Sequence, residues 1–178
     1  MKFPVGTLLA LCYFLASCTE IYFPEPQPRG VKVTENGLEE LIGEYINTED
    51  NDTLKVTKEG IVWSEDEDEE ETLGKELKVK KYKNRYFVNF YNSGKGLWQV
   101  FVVDNKDPDH LFVTNLTSID EDKVDELRRK KFSKLLEEAG NEDEQYFILN
   151  PSKKQLIKLL KDPIFNENKI DLKKLKQE

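Results

Sequence analysis

The sequence predicts an α+β fold, in which an antiparallel β-meander curls into a sandwich or an open barrel and C-terminal helices pack against it. Between residues 43 and 116, short segments rich in β-branched and aromatic residues alternate with clusters of Gly, Asn, Asp and Lys, which is typical of strands joined by turns. After residue 118, apolar residues recur at helical spacing. We therefore expect roughly six or seven strands at residues 37–116 and mainly helices at 117–178.

The domain is expected to begin with a short helical turn at residues 38–42 that packs Leu38, Leu41 and Ile42. Three strands are expected next, at residues 43–47, 53–57 and 61–63. The middle one, Thr-Leu-Lys-Val-Thr, alternates polar and apolar residues with the period of a half-buried strand.

Residues 65–71 are seven consecutive acidic side chains. Such a run repels itself and stays solvated, so we interpret it as a loop between strands. Loose Ca²⁺ binding or the docking of a basic partner is the alternative interpretation, although the run shows no ligand spacing.

The strongest β signal lies at residues 77–81 and 85–91, which flank a turn at 82–84. The next turn, Asn-Ser-Gly-Lys-Gly at 92–96, contains residues that tolerate positive φ angles. Strands at 97–103 and 110–116 are expected to complete the sheet.

The C-terminal third favours helices. Ser118-Ile119-Asp120-Glu121 fits a capping box, and the apolar positions that follow predict a helix closed by Gly140. These positions are Val124, Leu127, Leu135, Leu136 and Ala139.

A short strand is expected at 145–149 and a second helix from Asn150-Pro151 to Pro163, with Leu156, Leu159 and Leu160 as its inner stripe. A weak final helix is expected at 170–177.

The N-terminus has the pattern of a secretory signal. Lys2 precedes an almost uninterrupted apolar run at residues 3–15. A permanent membrane helix needs about 20 apolar residues, so this run is too short to span a bilayer. A basic start, a short apolar core and small residues at its end are typical of a signal that is removed.

The end of this run resembles the lipobox of bacterial lipoproteins, which is an aliphatic residue, two small residues and a cysteine. Leu15, Ala16, Ser17 and Cys18 match all four positions. The resemblance implies cleavage before Cys18 and acyl chains such as palmitate on that residue, which anchor the chain in a membrane. Thr19 replaces the aspartate that favours inner-membrane retention in enterobacterial lipoproteins, so the outer membrane is expected.

The segment after the cysteine is similar to the start of small lipoproteins of Bacteroidetes-type bacteria, in which Ile-Tyr-Phe and Pro-Gln-Pro-x-Gly stretches follow the lipidated residue. Here the similar residues are Ile21-Tyr22-Phe23 and Pro26-Gln27-Pro28-Arg29-Gly30, and the resemblance extends over roughly residues 18–63. It implies an envelope location and a fold but no site residues. The alternating prolines favour an extended spacer, so we interpret residues 18–36 as a Pro-rich tether.

Charge and cysteine content narrow the function classes. Removal of residues 1–17 leaves 161 residues, enough for one domain, and shifts the net charge from −8 to −9 because Lys2 is lost. A chain this acidic is not suited to generic contact with nucleic acid or with anionic lipid. Cys12 is removed and Cys18 is acylated, so we expect no disulfide and no cysteine-based metal or catalytic site.

Motifs for catalysis are weak. His110 is the only histidine, which excludes paired-histidine metal sites and HExxH hydrolases. Gly94-Lys95-Gly96 lacks the remaining residues of a phosphate loop and is predicted to be a hairpin turn. Asp104, Asp107 and Asp109 resemble a calcium loop in composition only, because Lys106 and Pro108 stand where oxygen ligands are needed. We therefore predict no catalytic residues, no cofactor and no metal site.

The basic residues around the turn at 82–84 allow two interpretations. They are compatible with polyanion or glycan binding or with charge balance against the acidic loop. The residues are Lys78, Lys80, Lys81, Lys83 and Arg85, together with Tyr82 and Tyr86.

The aromatic side chains concentrated in the sheet are compatible with a packed core or with a lipocalin-like cavity. A cavity lined by Tyr86, Val88, Trp98 and Val100 would favour the second interpretation.

The function expected from these patterns is that of a lipid-anchored cell-envelope protein with a structural or partner-binding role and no enzymatic activity. The expected partners are the membrane, through the lipid, and an envelope protein, with no nucleic acid. A carrier of a small apolar ligand is the alternative, and a hydrolase with paired carboxylates ranks third.

Overall fold

The fold is that of a computed structural model, which describes residues 18–63, 70–129, 133–141, 145–166 and 169–175. The predicted signal, residues 1–17, and most of the acidic run lie outside the described residues. The α+β meander predicted from the sequence is confirmed, with strands dominating and few helices.

Thirteen strands and three α-helices lie within the described residues, numbered here in chain order. The strands are β1 Cys18–Tyr22, β2 Gly43–Asn47, β3 Thr53–Val56, β4 Gly60–Trp63, β5 Glu70–Thr72, β6 Leu77–Tyr82, β7 Arg85–Asn92, β8 Leu97–Asp107, β9 His110–Asn115, β10 Ser118–Asp120, β11 Leu136–Gly140, β12 Gln145–Leu149 and β13 Lys169–Lys174. The helices are α1 Glu121–Arg129, α2 Lys153–Leu159 and α3 Pro163–Asn166, with 3₁₀ turns at Glu39–Leu41 and Ser133–Leu135.

Nine strands form a nearly closed antiparallel barrel in the order β5-β4-β3-β2-β13-β9-β8-β7-β6. The two edge strands β5 and β6 are consecutive in the chain, and they meet at a bridge between Leu73 and Leu77. The segment before the 3₁₀ turn covers the free edge of β6, because the Thr34 N–H donates to the carbonyl of Val79 at 2.8 Å. Little of this barrel's edge is therefore left open to pair with another chain.

A second, four-stranded sheet has the order β10-β1-β12-β11. Strand β1 pairs antiparallel with β10 and parallel with β12, so the N-terminal strand lies between two segments from the C-terminal third. This sheet, with the helices, forms a layer that covers one side of the barrel.

Two apolar cores result from this arrangement. The barrel core fills the interior of the nine-stranded sheet and includes Tyr45, Val88 and Leu172. Leu38 and Leu41 also belong to it and are 0% and 2% exposed, so the helical turn predicted at 38–42 is confirmed, although Ile42 is 36% exposed rather than packed. The layer core lies between the barrel wall and the second layer and joins Phe87 and Val100 to Ile21, Phe147 and Leu156.

The final helix predicted at 170–177 is wrong, because Lys169–Lys174 is strand β13, inserted between β2 and β9. Its residues alternate, with Leu172 buried and Lys173 exposed. The segment expected to be a weak final helix is a strand whose pairing partners are far away in sequence.

The helix predicted to extend to Ala139 is also shorter than expected. Helix α1 ends at Arg129, and Leu136–Gly140 forms strand β11 against β12. Ser118–Asp120, predicted as a capping box, is strand β10, because its backbone pairs with β1. Pairing with β1, about 100 residues away in the chain, overrides the local helical pattern in the first segment, and hairpin pairing with the nearby β12 overrides it in the second.

Residues 18–36 are packed into the fold, which corrects the expectation of a free tether. Residues 18–22 are strand β1, and the Phe23 backbone exchanges two hydrogen bonds with Trp98, at 2.7 and 2.8 Å. Gln27 and Pro28 are buried. The expected extended path is wrong as well, because residues 24–30 contain bends and a turn, and the Val31 N–H donates to the Pro28 carbonyl at 3.3 Å.

Candidate functional site

The predicted lipidation residue is the first residue of strand β1. The Cα of Cys18 lies opposite that of Asp120 in β10, and Thr19 lies opposite Ile119. On the other side of β1, Glu20 lies opposite Tyr146 of β12. Backbone pairing thus holds the chain within one residue of the predicted attachment point, so a lipid on Cys18 would join the folded body without an intervening spacer.

A polar and aromatic cluster lies two residues from this point. The Tyr22 hydroxyl donates to Glu20 Oε2 at 2.9 Å, and Lys95 Nζ donates to the same oxygen at 3.3 Å. The Lys95 ammonium also lies 5.0 Å from the Tyr22 ring centroid and 5.3 Å from that of Tyr146. Burial raises the pKa of Tyr22. Lys95 is brought here by the β7–β8 turn, so the cluster fastens the barrel to the strand that carries Cys18.

A second cluster, the Gln27 clamp, holds the proline-rich segment. The Gln27 N–H donates to Asn89 Oδ1 at 2.6 Å, and Asn89 Nδ2 donates to the carbonyls of Gln27 and Lys78 at 3.0 and 3.1 Å. Lys80 Nζ donates to the carbonyls of Pro26 and Pro28 at 2.6 and 3.2 Å. Burial lowers the pKa of Lys80. This clamp has no signal in the sequence, since an asparagine and a lysine in a strand carry no sign of a partner more than 50 residues away.

Most basic side chains of β6, β7 and the turn between them have partners within the protein. Lys80 belongs to the Gln27 clamp, Lys81 Nζ donates to Glu40 at 2.5 Å, and Arg85 Nε donates to Asp104 at 3.2 Å. The hydrogen bond with Lys81 lowers the pKa of Glu40, and the same bond raises the pKa of Lys81.

The other two basic residues lie over aromatic rings, with Lys78 Nζ 4.7 Å from the Trp98 ring and Lys83 Nζ 5.8 Å from the Tyr82 ring. Three of the five basic residues thus have polar partners in the folded chain, which does not favour the whole strand as a polyanion surface.

His110 lies on the outer face of the barrel wall. Its Nδ1 is 2.8 Å from Asp171 Oδ1, and its ring stacks on the partly exposed Phe112. In the described part of the chain, Asp171 is the only hydrogen-bond partner of His110, and no serine or threonine hydroxyl completes a nucleophile–base pair.

Gly94-Lys95-Gly96 forms the β7–β8 hairpin turn, as predicted. The Gly96 N–H donates to the Asn92 carbonyl at 2.8 Å, and Gly96 has a φ of 68°. Its lysine therefore belongs to a turn and not to a phosphate-binding helix start.

The three aspartates that resemble a calcium loop do not converge. Asp104 pairs with Arg85 in the barrel wall, whereas Asp107 accepts the Asp109 N–H at 2.9 Å within the β8–β9 turn. Over the described ranges, no three His, Cys, Asp or Glu side chains are grouped so that they could hold a metal ion.

The four side chains proposed as a cavity lining do not face one space. Tyr86 and Val88 belong to the barrel core, whereas Trp98 and Val100 belong to the layer core on the other side of the wall. The predicted set is wrong because residues 86 and 88 of β7 and residues 98 and 100 of β8 point to opposite faces of the same sheet.

Comparisons with protein-family models, with curated proteins and with solved structures give no match. In the described residues, no helix is long and apolar enough to cross a membrane.

Proposed function

We propose that this chain is a lipid-anchored, non-catalytic protein of the cell envelope, with Cys18 as the acylated residue. The observation that supports it most is the four-residue lipobox match at Leu15-Ala16-Ser17-Cys18, which follows a short apolar run with a basic start. In the structure, Cys18 is paired with Asp120 of β10, so the proposed attachment point would belong to the folded body.

The anchor would hold the body close to the bilayer. Two or more acyl chains give persistent membrane attachment, since each buried CH₂ contributes about 0.8 kcal/mol. Because Cys18 is paired with β10, the second sheet would start at the lipid headgroups. The outer membrane is the proposed location because Thr19 stands where an aspartate favours inner-membrane retention in enterobacterial lipoproteins.

Metabolic labelling with a fatty-acid analogue tests the anchor. The parent chain should carry the label on a peptide that begins at residue 18, and Cys18→Ala should lose it. Cys12→Ala is the matched control, because it removes the other cysteine and should leave the label unchanged. Equal labelling of Cys18→Ala and the parent would refute acylation of this residue.

Membrane fractionation tests the location separately. The labelled parent should sediment with outer-membrane markers, and Thr19→Asp should shift it toward the inner membrane if the enterobacterial sorting rule applies. Label found only in the inner-membrane fraction of the parent would refute the outer-membrane assignment and leave the anchor intact.

The role at the membrane is proposed to be structural or partner-binding. The polar side chains most similar in type to catalytic groups already have partners within the fold. Lys80 belongs to the Gln27 clamp, Lys95 lies between two tyrosines, and His110 contacts Asp171. Affinity capture of the lipidated protein from its own envelope, with co-purified proteins and lipids identified, is the direct test.

A carrier of a small apolar ligand is the second candidate, favoured by the nearly closed barrel with an apolar interior. Leu38, Leu41 and Tyr45 are almost fully buried in that interior, which leaves less room for a ligand. Native mass spectrometry of the purified protein distinguishes the candidates, since a carrier retains a bound lipid or other apolar molecule.

A further inference from the structure

Helix α2 presents a stripe of lysines to solvent. Lys154, Lys158 and Lys161 are exposed and lie four and three residues apart, so they share one face of the helix and its C-terminal turn. The opposite face is buried in the layer core through Leu156 and Leu159. The apolar contact fixes which side of the helix faces outward.

Two more lysines extend this stripe. Lys153 Nζ lies 5.0 Å from the Tyr82 ring centroid, and Lys83 Nζ, from the β6–β7 turn, lies 5.8 Å from the same centroid. We call these five residues the lysine patch; they are Lys83, Lys153, Lys154, Lys158 and Lys161.

The charges of the lysine patch are not balanced locally. Within the described residues, none of its five ammonium groups has a carboxylate partner, whereas Arg29, Lys55, Lys81 and Arg85 are each paired with one. This is unusual in a chain with a net charge of −8. An unpaired cluster of one sign is suited to a surface of the opposite sign.

The start of α2 and the proposed anchor lie at opposite ends of the strand pair β1–β12. Helix α2 starts four residues after β12, and β12 pairs in parallel with β1, so α2 follows the end of β1 that is farther from Cys18. The five residues of β12 span about 16 Å. A body attached at Cys18 therefore brings the lysine patch to the bilayer when β1 lies along the membrane surface, and the anchor and the patch are then two separate points of contact.

We propose that the lysine patch binds the anionic headgroups of phospholipids in the membrane that Cys18 enters, an inference that depends on the proposed anchoring. Lysine ammonium groups act as point charges and suit a diffuse anionic surface, whereas bidentate recognition of a single group favours arginine. The acyl chains supply the attachment, and the lysine patch sets the tilt of the body on the bilayer.

Lysine acetylation, read by mass spectrometry, tests this on the purified lipidated protein. The protein is reconstituted in vesicles of phosphatidylcholine alone or mixed with phosphatidylglycerol. Lys154, Lys158 and Lys161 should react at least about fivefold more slowly in the anionic vesicles, and high salt should restore their reactivity because it screens the headgroup charge. The exposed Lys32, Lys58 and Lys75 should react equally in both.

Two matched variants separate the lysine patch from overall charge. Lys154→Gln combined with Lys158→Gln and Lys161→Gln should abolish the protection of Lys153 and Lys83. The same three changes at Lys32, Lys58 and Lys75 remove equal charge and should leave that protection in place. Circular dichroism checks that both variants are folded.

Each outcome is decisive. Equal reactivity of the α2 lysines in both kinds of vesicle, with the fatty-acid label present, would overturn the lipid contact and leave the anchor standing. Loss of the label in the parent would instead refute the proposed function. Stronger protection by a soluble anionic glycan than by anionic vesicles would assign the lysine patch to a glycan and overturn the lipid proposal.

Discussion

Gln27 and Asn89 hold each other through reciprocal hydrogen bonds although 62 residues separate them. The Gln27 N–H donates to Asn89 Oδ1 at 2.6 Å, and Asn89 Nδ2 donates to the Gln27 carbonyl at 3.0 Å. Both residues are fully buried. The Asn89 side chain thereby supplies hydrogen-bond partners to a buried backbone N–H and a buried carbonyl. Removing these groups from water without such partners would cost free energy.

Asn89→Leu should lower the free energy of unfolding by about 2–4 kcal/mol, because it leaves the backbone groups of Gln27 buried without partners. Urea unfolding measured by fluorescence checks this. Asn36→Leu, at an exposed position, is the control and should change stability little. A loss below about 0.5 kcal/mol for Asn89→Leu would indicate that water replaces the asparagine.

Lys80→Met should loosen the proline-rich segment locally. The carbonyls of Pro26 and Pro28 lose their ammonium donor, so the amides of Gln27 and Val31 should exchange with solvent about tenfold faster, equivalent to about 1.4 kcal/mol. Hydrogen exchange with mass spectrometry measures this. Lys32→Met, at an exposed lysine, is the control and should leave the exchange unchanged. Unchanged exchange in Lys80→Met would show that the clamp depends on Asn89 alone.

Gly37→Ala should destabilise the fold by about 1–3 kcal/mol through overpacking. A Cβ at this position would lie 2.7 Å from Val79 Cγ1, where the segment before the 3₁₀ turn crosses β6. Gly94→Ala is the control, since its Cβ would approach no described atom closer than 3.4 Å. The Cβ of Val79 would lie closer still, so adding Val79→Ala should recover little of the loss. In thermal unfolding, equal midpoints for Gly37→Ala and Gly94→Ala would contradict the overpacking.

Leu172→Ala should cost about 2–4 kcal/mol, because Leu172 is 1% exposed in the barrel core, on the strand between β2 and β9. The adjacent Lys173 points to the other face and is exposed. Lys173→Ala should therefore change the urea midpoint little. Equal effects of the two substitutions would contradict the register assigned to β13.

Tyr45→Phe should reduce the alkaline sensitivity of the fold. Burial raises the pKa of Tyr45 above its usual value of 10.0, and its hydroxyl donates to the Leu41 carbonyl at 2.9 Å. Above pH 10 the unfolded chain loses this proton while the folded chain keeps it, so the folded state binds more protons and stability falls as pH rises.

The variant should lose about 1 kcal/mol at neutral pH, from the missing hydrogen bond, but its unfolding free energy should fall less steeply above pH 10. Val56→Ala, in the same core, is the control, which lowers stability at neutral pH and leaves the alkaline slope as in the parent. An unchanged slope in Tyr45→Phe would show that Tyr45 ionises equally in both states.

Local sequence patterns were sufficient for several elements in which neighbours in the chain are also neighbours in space, although not for strand β11. The alternation in residues 53–57 and the turn residues at 92–96 predict β3 and the β7–β8 hairpin because each depends on contacts within a few residues. Leu38 and Leu41 were also predicted correctly, since a helical turn is set by adjacent residues. The candidate clusters at Lys95 and Gln27 could not be predicted, because each joins residues at least 50 positions apart.

The sequence by itself determined the class of fold, most strands of the barrel and the residue proposed as the anchor, because short-range periodicity, turn chemistry and a four-residue motif carry that information. Only the tertiary structure decided that residues 18–22 and 169–174 are strands, that the proline-rich segment is fastened to β7, and which lysines of the lysine patch share one surface. The physical reason is that a strand obtains its hydrogen bonds from another segment, so its state depends on which distant segment folding brings alongside.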